Sequence, residues 1–136
     1  MTASIVSSGA QKGWLVVTIT GENDVTNAGL GGIANPEGVT LGITRAFIYA
    51  RTGSTGAANL SIGIGAAGAA SSDICSAMSM VEADLGGDFT FLPAAQAAET
   101  DSPTALWTTT TFLNITGSAD STGLDADLYL EYIRLA

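Results

Sequence analysis

The chain contains no histidine, one cysteine and four cationic residues, against thirteen carboxylates and seventeen glycines in 136 residues. Each scarcity excludes a class of chemistry. Without histidine, neither a Ser-His-Asp nor a Cys-His arrangement can be built, so the usual routes to nucleophilic catalysis are closed. Cys75 has no second cysteine for an internal disulfide. It also has no histidine or nearby cation to lower its pKa, so it reads as a buried structural thiol. One cysteine and no histidine leave too few nitrogen and sulfur ligands for zinc. Only Lys12, Arg45, Arg51 and Arg134 could meet phosphate groups, and the formal charge is −9 with a pI near 4.1. Nucleic acid is therefore excluded as a partner, and membrane with it. No apolar run approaches the roughly 18 residues of a membrane span. Met1–Ser8 lacks the basic and long apolar regions of a signal peptide, so the expectation is synthesis and folding in a cytoplasm.

What is present is apolar and small. Hydrophobic residues make up 46% of the chain and mean hydropathy is +0.36, with much of that contributed by alanine. Charged residues are only 12%, about half the usual share. A surface with so few charges is poorly solvated as an isolated monomer, and assembly would relieve that. The length suits one domain with its own core. Residues 1–13 are small and polar and read as an N-terminal arm or loose segment. Residues 14–136 read as a single β-sandwich domain.

Within that domain, Trp14–Thr20 is a strand with Leu15, Val17 and Ile19 on one face. Glycine and asparagine mark residues 21–38 as a long loop with a short strand near Leu30–Ala34. Val39–Arg51 and Asn59–Ile64 alternate as strands, the second with Leu60, Ile62 and Ile64 together. Asp73–Asp84 fits either a short helix or a strand that uses Met78 and Met80 as core filling. Asp88–Leu92 is a brief strand, and Pro93–Pro103 is loop. Leu106–Thr116 and Asp127–Leu135 are the last two strands, joined as a hairpin through Gly117–Leu124. Both faces of the final strand are partly apolar, which predicts a central position or contacts on each side. The expected fold class is all-β: an antiparallel, jelly-roll-like β-sandwich of seven to eight strands.

Several motifs compete for a functional role. Gly63–Gly68 matches GxGxxG after a strand, but no amphipathic helix follows, so it reads as a glycine-rich strand end and no cofactor is expected. Thirteen acids leave a glycosidase carboxylate pair open on composition, yet nothing sets two of them across a cleft. No catalytic residue is assigned. Asp120, Asp125 and Asp127 bracket the last loop and are weak calcium candidates, although their spacing matches no EF-hand. Sequons at Asn59 and Asn114 fall inside predicted strands.

The most informative segment is Ile43–Arg51. One face carries Ala46, Ile48 and Ala50, and the other Arg45, Phe47, Tyr49 and Arg51. Burying the second face would bury two guanidinium groups, which is costly unless they are paired. The alanine–isoleucine face therefore points inward. Arginines flanking aromatics are the composition of interface hot spots, so Arg45, Phe47, Tyr49 and Arg51 are the candidate interface. The alternative is that loops cover Phe47 and Tyr49 while the arginines reach past them to water.

Three stretches, Leu41–Arg51, Asn59–Gly65 and Asp127–Leu135, resemble strands of small jelly-roll capsid decoration (cement) proteins of tailed phages. The resemblance lies in an alternating strand, a Thr/Gly-rich turn, an LSIGIG strand and a closing strand, about a third of the chain. It implies a non-enzymatic virion protein on the outer capsid surface, partnered by the major capsid protein and by itself as a homotrimer. A carbohydrate-binding or adhesin-like sandwich is the main alternative, with Trp14, Trp107 or Tyr49 stacking on sugar. A phage tail or head-fibre component is another.

Overall fold

Alternation of β-branched or aromatic residues with polar ones builds short strands throughout the chain. A computed structural model describes residues 12–21, 32–69, 72–92 and 106–135. Among them are β1 (Lys12–Thr20), β2 (Ile33–Ala34), β3 (Leu41–Thr52), β4 (Asn59–Gly65), β5 (Cys75–Ser79), β6 (Phe89–Leu92), β7 (Leu106–Trp107), β8 (Phe112–Gly117) and β9 (Asp125–Arg134), with one short helix, α1 (Glu82–Leu85). Seven of these strands have four residues or more, and β2 and β7 are two-residue pieces.

The strands form two antiparallel sheets. One runs β1-β9-β3-β6, with β7 also paired to β3, and the other runs β2-β8-β4-β5. Leu41, Ile48, Leu128 and Leu130 from the first sheet meet Leu60, Ile62, Leu113 and Ile115 from the second in a single core. Each fully buried aliphatic side chain of this kind contributes roughly 1.5–3 kcal/mol. Met78 and Met80 are buried in the same core. Gly13 is needed for a close approach, because a Cβ there would lie 2.6 Å from the Tyr132 ring. That ring lies against β1, and its hydroxyl donates to Glu37 at 2.5 Å.

Several expectations are corrected. Lys12 and Gly13, assigned to the arm, are the first residues of β1, because they pair with Ile133 and Tyr132. Residues 1–11 and 93–105 lie outside the described residues. The 73–84 segment is both a strand and a helix, β5 followed by α1. The run from Leu106 to Thr116 is broken between β7 and β8, where Thr108 N–H donates to Thr111 Oγ1 at 3.0 Å and Thr111 Oγ1 donates to the Thr108 carbonyl at 3.3 Å. Threonine hydroxyls bonding local backbone compete with the strand ladder. The final two strands make no hairpin: β8 pairs with β2 and β4, and β9 with β1 and β3. The 118–124 connection therefore crosses from one sheet to the other.

Candidate functional site

The period of two in β3 sets the site. Ala46, Ile48 and Ala50 are buried in the sandwich, and Arg45, Phe47, Tyr49 and Arg51 project from the opposite face of the sheet. Register then assembles a larger surface. β9 sets Tyr129 beside Phe47, and β6 sets Phe91 beside Phe47 and Phe89 beside Tyr49. β1 sets Val16 beside Tyr129 and Trp14 beside Glu131.

Phe47 is only 8% exposed, and what covers it is other rings. Its centroid lies 4.9 Å from that of Phe91, 5.3 Å from Phe89 and 6.0 Å from Trp14. These spacings fall in the range of favourable aromatic pairs. The covering rings are themselves open to solvent: Phe91 is 68% exposed, Phe89 56% and Trp14 48%, and Val16 on the same face is 53% exposed. Sequence reasoning missed Phe89, Phe91 and Val16 as parts of this face. The Phe-Thr-Phe spacing already put Phe89 and Phe91 on one side of their strand. Only the β3–β6 pairing reveals which neighbours they have.

The charges on this face are paired. Arg45 Nε donates to Glu131 Oε1 at 3.0 Å and Nη2 to Oε2 at 2.5 Å, Thr44 Oγ1 donates to Oε1 at 2.8 Å, and Lys12 Nζ stands in ion-pair range of Oε2 at 3.6 Å. These bonds, Arg45's above all, hold the Glu131 carboxyl down to about 2 against the opposing effect of burial. The Arg45 guanidinium also sits 5.7 Å from the Trp14 ring centre and 5.8 Å from that of Phe47, within cation–π range. Arg51 grips two carboxylates. Its Nε and Nη2 donate to Asp125 at 2.9 and 2.6 Å, and its Nη1 donates to Asp127 at 2.6 Å. Thr18 Oγ1 adds a bond to Asp127 at 2.9 Å. Arg51 thereby keeps both aspartates below the usual carboxylate range.

The calcium candidates are thus split by function. Asp125 and Asp127 hold Arg51, while Asp120 accepts from the hydroxyl and backbone N–H of Thr122 at 2.5 and 2.9 Å. Among the described residues no three carboxylate or thiol groups gather as a metal site. Gly63 and Gly65 lie in β4, and Gly68 lies in the turn that follows it, not at the start of a helix. Cys75 is buried, and burial pushes its thiol pKa up. Trp107, one of the proposed sugar-stacking residues, is fully buried and donates from Nε1 to the Thr111 carbonyl at 3.1 Å. It offers no surface for stacking.

No protein-family model matches this chain, and no curated protein matches it in sequence. A solved structure does match in fold. The fold is similar to a chain of the cyanophage Pam1 capsid asymmetric unit. The two share 16% identity with a TM-score of 0.58, covering 99% of this chain and 94% of that one. At that identity the likeness is one of fold, and it spans the all-β sandwich from end to end.

Proposed function

We propose that this chain is a non-enzymatic structural protein of a phage virion that binds the outside of the capsid shell and stabilises it, as a decoration protein does. The observation that carries the reading is the fold likeness, over nearly the whole of both chains, to a chain of a phage capsid asymmetric unit. Strand order supports it. The orders β1-β9-β3-β6 and β2-β8-β4-β5 are those that an eight-strand jelly-roll wrap would give. The lack of histidine and the pairing of Glu131, Asp125 and Asp127 with arginines leave these acids occupied with structure, not proton transfer.

The major capsid protein is the proposed partner. Purified chain added to shells lacking it should bind at a fixed number of copies per shell and raise the shell's melting temperature. Shells that bind none, or that bind it without gaining stability, overturn the decoration role. A carbohydrate-binding sandwich is the competing reading favoured by the exposure of Trp14. A glycan array with specific hits, together with shells that bind none of the protein, would select it.

A further inference from the structure

The edge strands of the two sheets are finished unequally. Among the described residues, β2 and β7 have two residues each and β6 has four. β5 has five, with a register shift against β4 between Leu60 and Ile62 and with Ala77 held at φ 49. Short and bulged edges resist pairing with a further strand. β1 has neither guard. It runs nine residues in unbroken register with β9, without proline and with Lys12 as its one charge. Among the described residues β9 is its only neighbour in the sheet.

The ladder fixes which way the backbone of β1 points. Gly21, opposite Leu124 at the end of the pairing, donates its N–H to the Leu124 carbonyl at 2.7 Å. Bonded and non-bonded opposite pairs alternate along an antiparallel ladder. Leu15, Val17 and Ile19 therefore bond β9, and the N–H and carbonyl groups of Trp14, Val16 and Thr18 point away from it. Leu135 donates to the Thr40 carbonyl at 2.8 Å, so the odd positions at this end of β9 turn to β3 and leave the even ones for β1. The Lys12 carbonyl is taken by Arg134 Nη1 at 3.1 Å, which leaves Trp14 to Thr18 as the open stretch. Core packing stops short at the same edge. Leu15 and Val17 face inward yet are half-buried, whereas Ile48, Leu128 and Leu130 on the central strands are fully buried.

We infer that the open edge of β1 accepts an extended segment of a different protein, which adds a strand to the sheet. In such β-addition, main-chain bonds supply affinity and alternate side chains supply specificity. The segment that suits this edge has apolar residues at alternate positions, to cover Leu15 and Val17. It carries no net negative charge, because the chain it approaches is at −9. A second copy of the chain is repelled by that same charge. The inference goes beyond the virion reading and does not rest on it.

Amide exchange followed by NMR on the full chain tests it, with the peptide acetyl-Lys-Val-Thr-Val-Thr-Val-Lys-amide as probe. Near saturation the Trp14, Val16 and Thr18 amides should exchange about tenfold more slowly, while those of Leu15 and Val17, already in the ladder, should not change. A copy of the peptide N-methylated at its three central residues keeps the charge and loses the donors, and it should give no protection. Val16→Pro removes an outward N–H and no ladder bond, so it should weaken probe binding about tenfold or more with strand circular dichroism unchanged. If that variant fails to fold, the two peptides alone decide. Trp14, Val16 and Thr18 amides already protected in dilute free protein would mean that the chain's own residues occupy the edge, and would overturn the inference. Protection that grows with protein concentration alone would assign the edge to a second copy and overturn it too. Equal protection by both peptides, or by neither, has the same consequence.

Discussion

The two outer faces of the sandwich are finished in opposite ways. On the β2-β8-β4-β5 sheet the outward positions are mostly small or polar, Ser61, Gly63, Asn114 and Thr116, with Phe112 half-buried among them. There the chain covers itself. Asn114 is buried, donating from Nδ2 to the Ala66 carbonyl at 2.9 Å and accepting at Oδ1 from Gly68 N–H at 3.0 Å. Gly32 closes in at φ +88, where a Cβ would stand 3.1 Å from Asn114 Oδ1. Small outward residues let backbone lie close over this sheet, and a side-chain amide satisfies the backbone groups that arrive. On the β1-β9-β3-β6 sheet, the outward positions are rings and paired ions, and the rings at both sheet edges stand in solvent. Pleat and twist are common to both sheets. The difference lies in what each outward position carries, and it separates a face completed within the chain from one whose rings the described residues leave open to solvent.

The largest effect should come from the open face itself. Phe47→Ala removes a buried ring that three others pack on, and large-to-small changes at such a ring cost about 3–5 kcal/mol. Urea unfolding should show a loss of that size. A loss under about 1 kcal/mol would mean that the ring cluster is not part of the fold, and the contrast between the faces would be gone. Asn114→Ala, on the closed face, is the matched probe. It orphans the Ala66 carbonyl and the Gly68 N–H, so it should cost about 2–3 kcal/mol. It should also raise hydrogen exchange at Gly68. Normal protection at Gly68 in that variant would show that the loop does not depend on the amide.

Much of the open face is legible in the residues of β3, where charge and rings alternate with alanine and isoleucine. The central place of β9 is legible too, from apolar residues at both parities of Ala126–Ile133. Period-two patterns report which residues share a side, and they do so within one strand. They are silent on pairing. Phe91 joins Phe47 through a ladder between segments more than forty residues apart, and Glu131 meets Arg45 across a still longer interval. The burial of Asn114 is equally hidden, since its cover comes from backbone groups near Ala66 and Gly68. The break at Thr108–Thr111 is masked because β-branched threonine carries strand propensity and turn-forming hydroxyls together. The aspartates at the start of β9 show the same limit. Asp125 and Asp127 look like oxygen ligands in a loop until Arg51 arrives from another strand.

The smallest effect sharpens the comparison through pH. The open face is tied by ions and the closed face by a neutral amide, so acid should loosen only the first. Glu131 is depressed to about 2 in the folded chain from an ordinary value of 4.5, chiefly by Arg45's hydrogen bonds. A depressed carboxyl contributes stability that is full above about pH 4.5 and is lost as pH falls toward 2. Asp125 and Asp127, lowered by Arg51, act in the same direction. Glu131→Gln removes the titrating group while preserving shape and the Thr44 bond. The variant should melt below wild type at pH 7, because Arg45 and Lys12 lose their shared anion. The gap should then close as pH falls, since protonated Glu131 in the wild type is as neutral as glutamine. Asn114→Ala should instead melt below wild type by a constant margin across the same range. A Glu131→Gln gap that stays fixed down to pH 2 would show that the carboxylate's charge does not hold the open face, and that the rings hold it by packing alone.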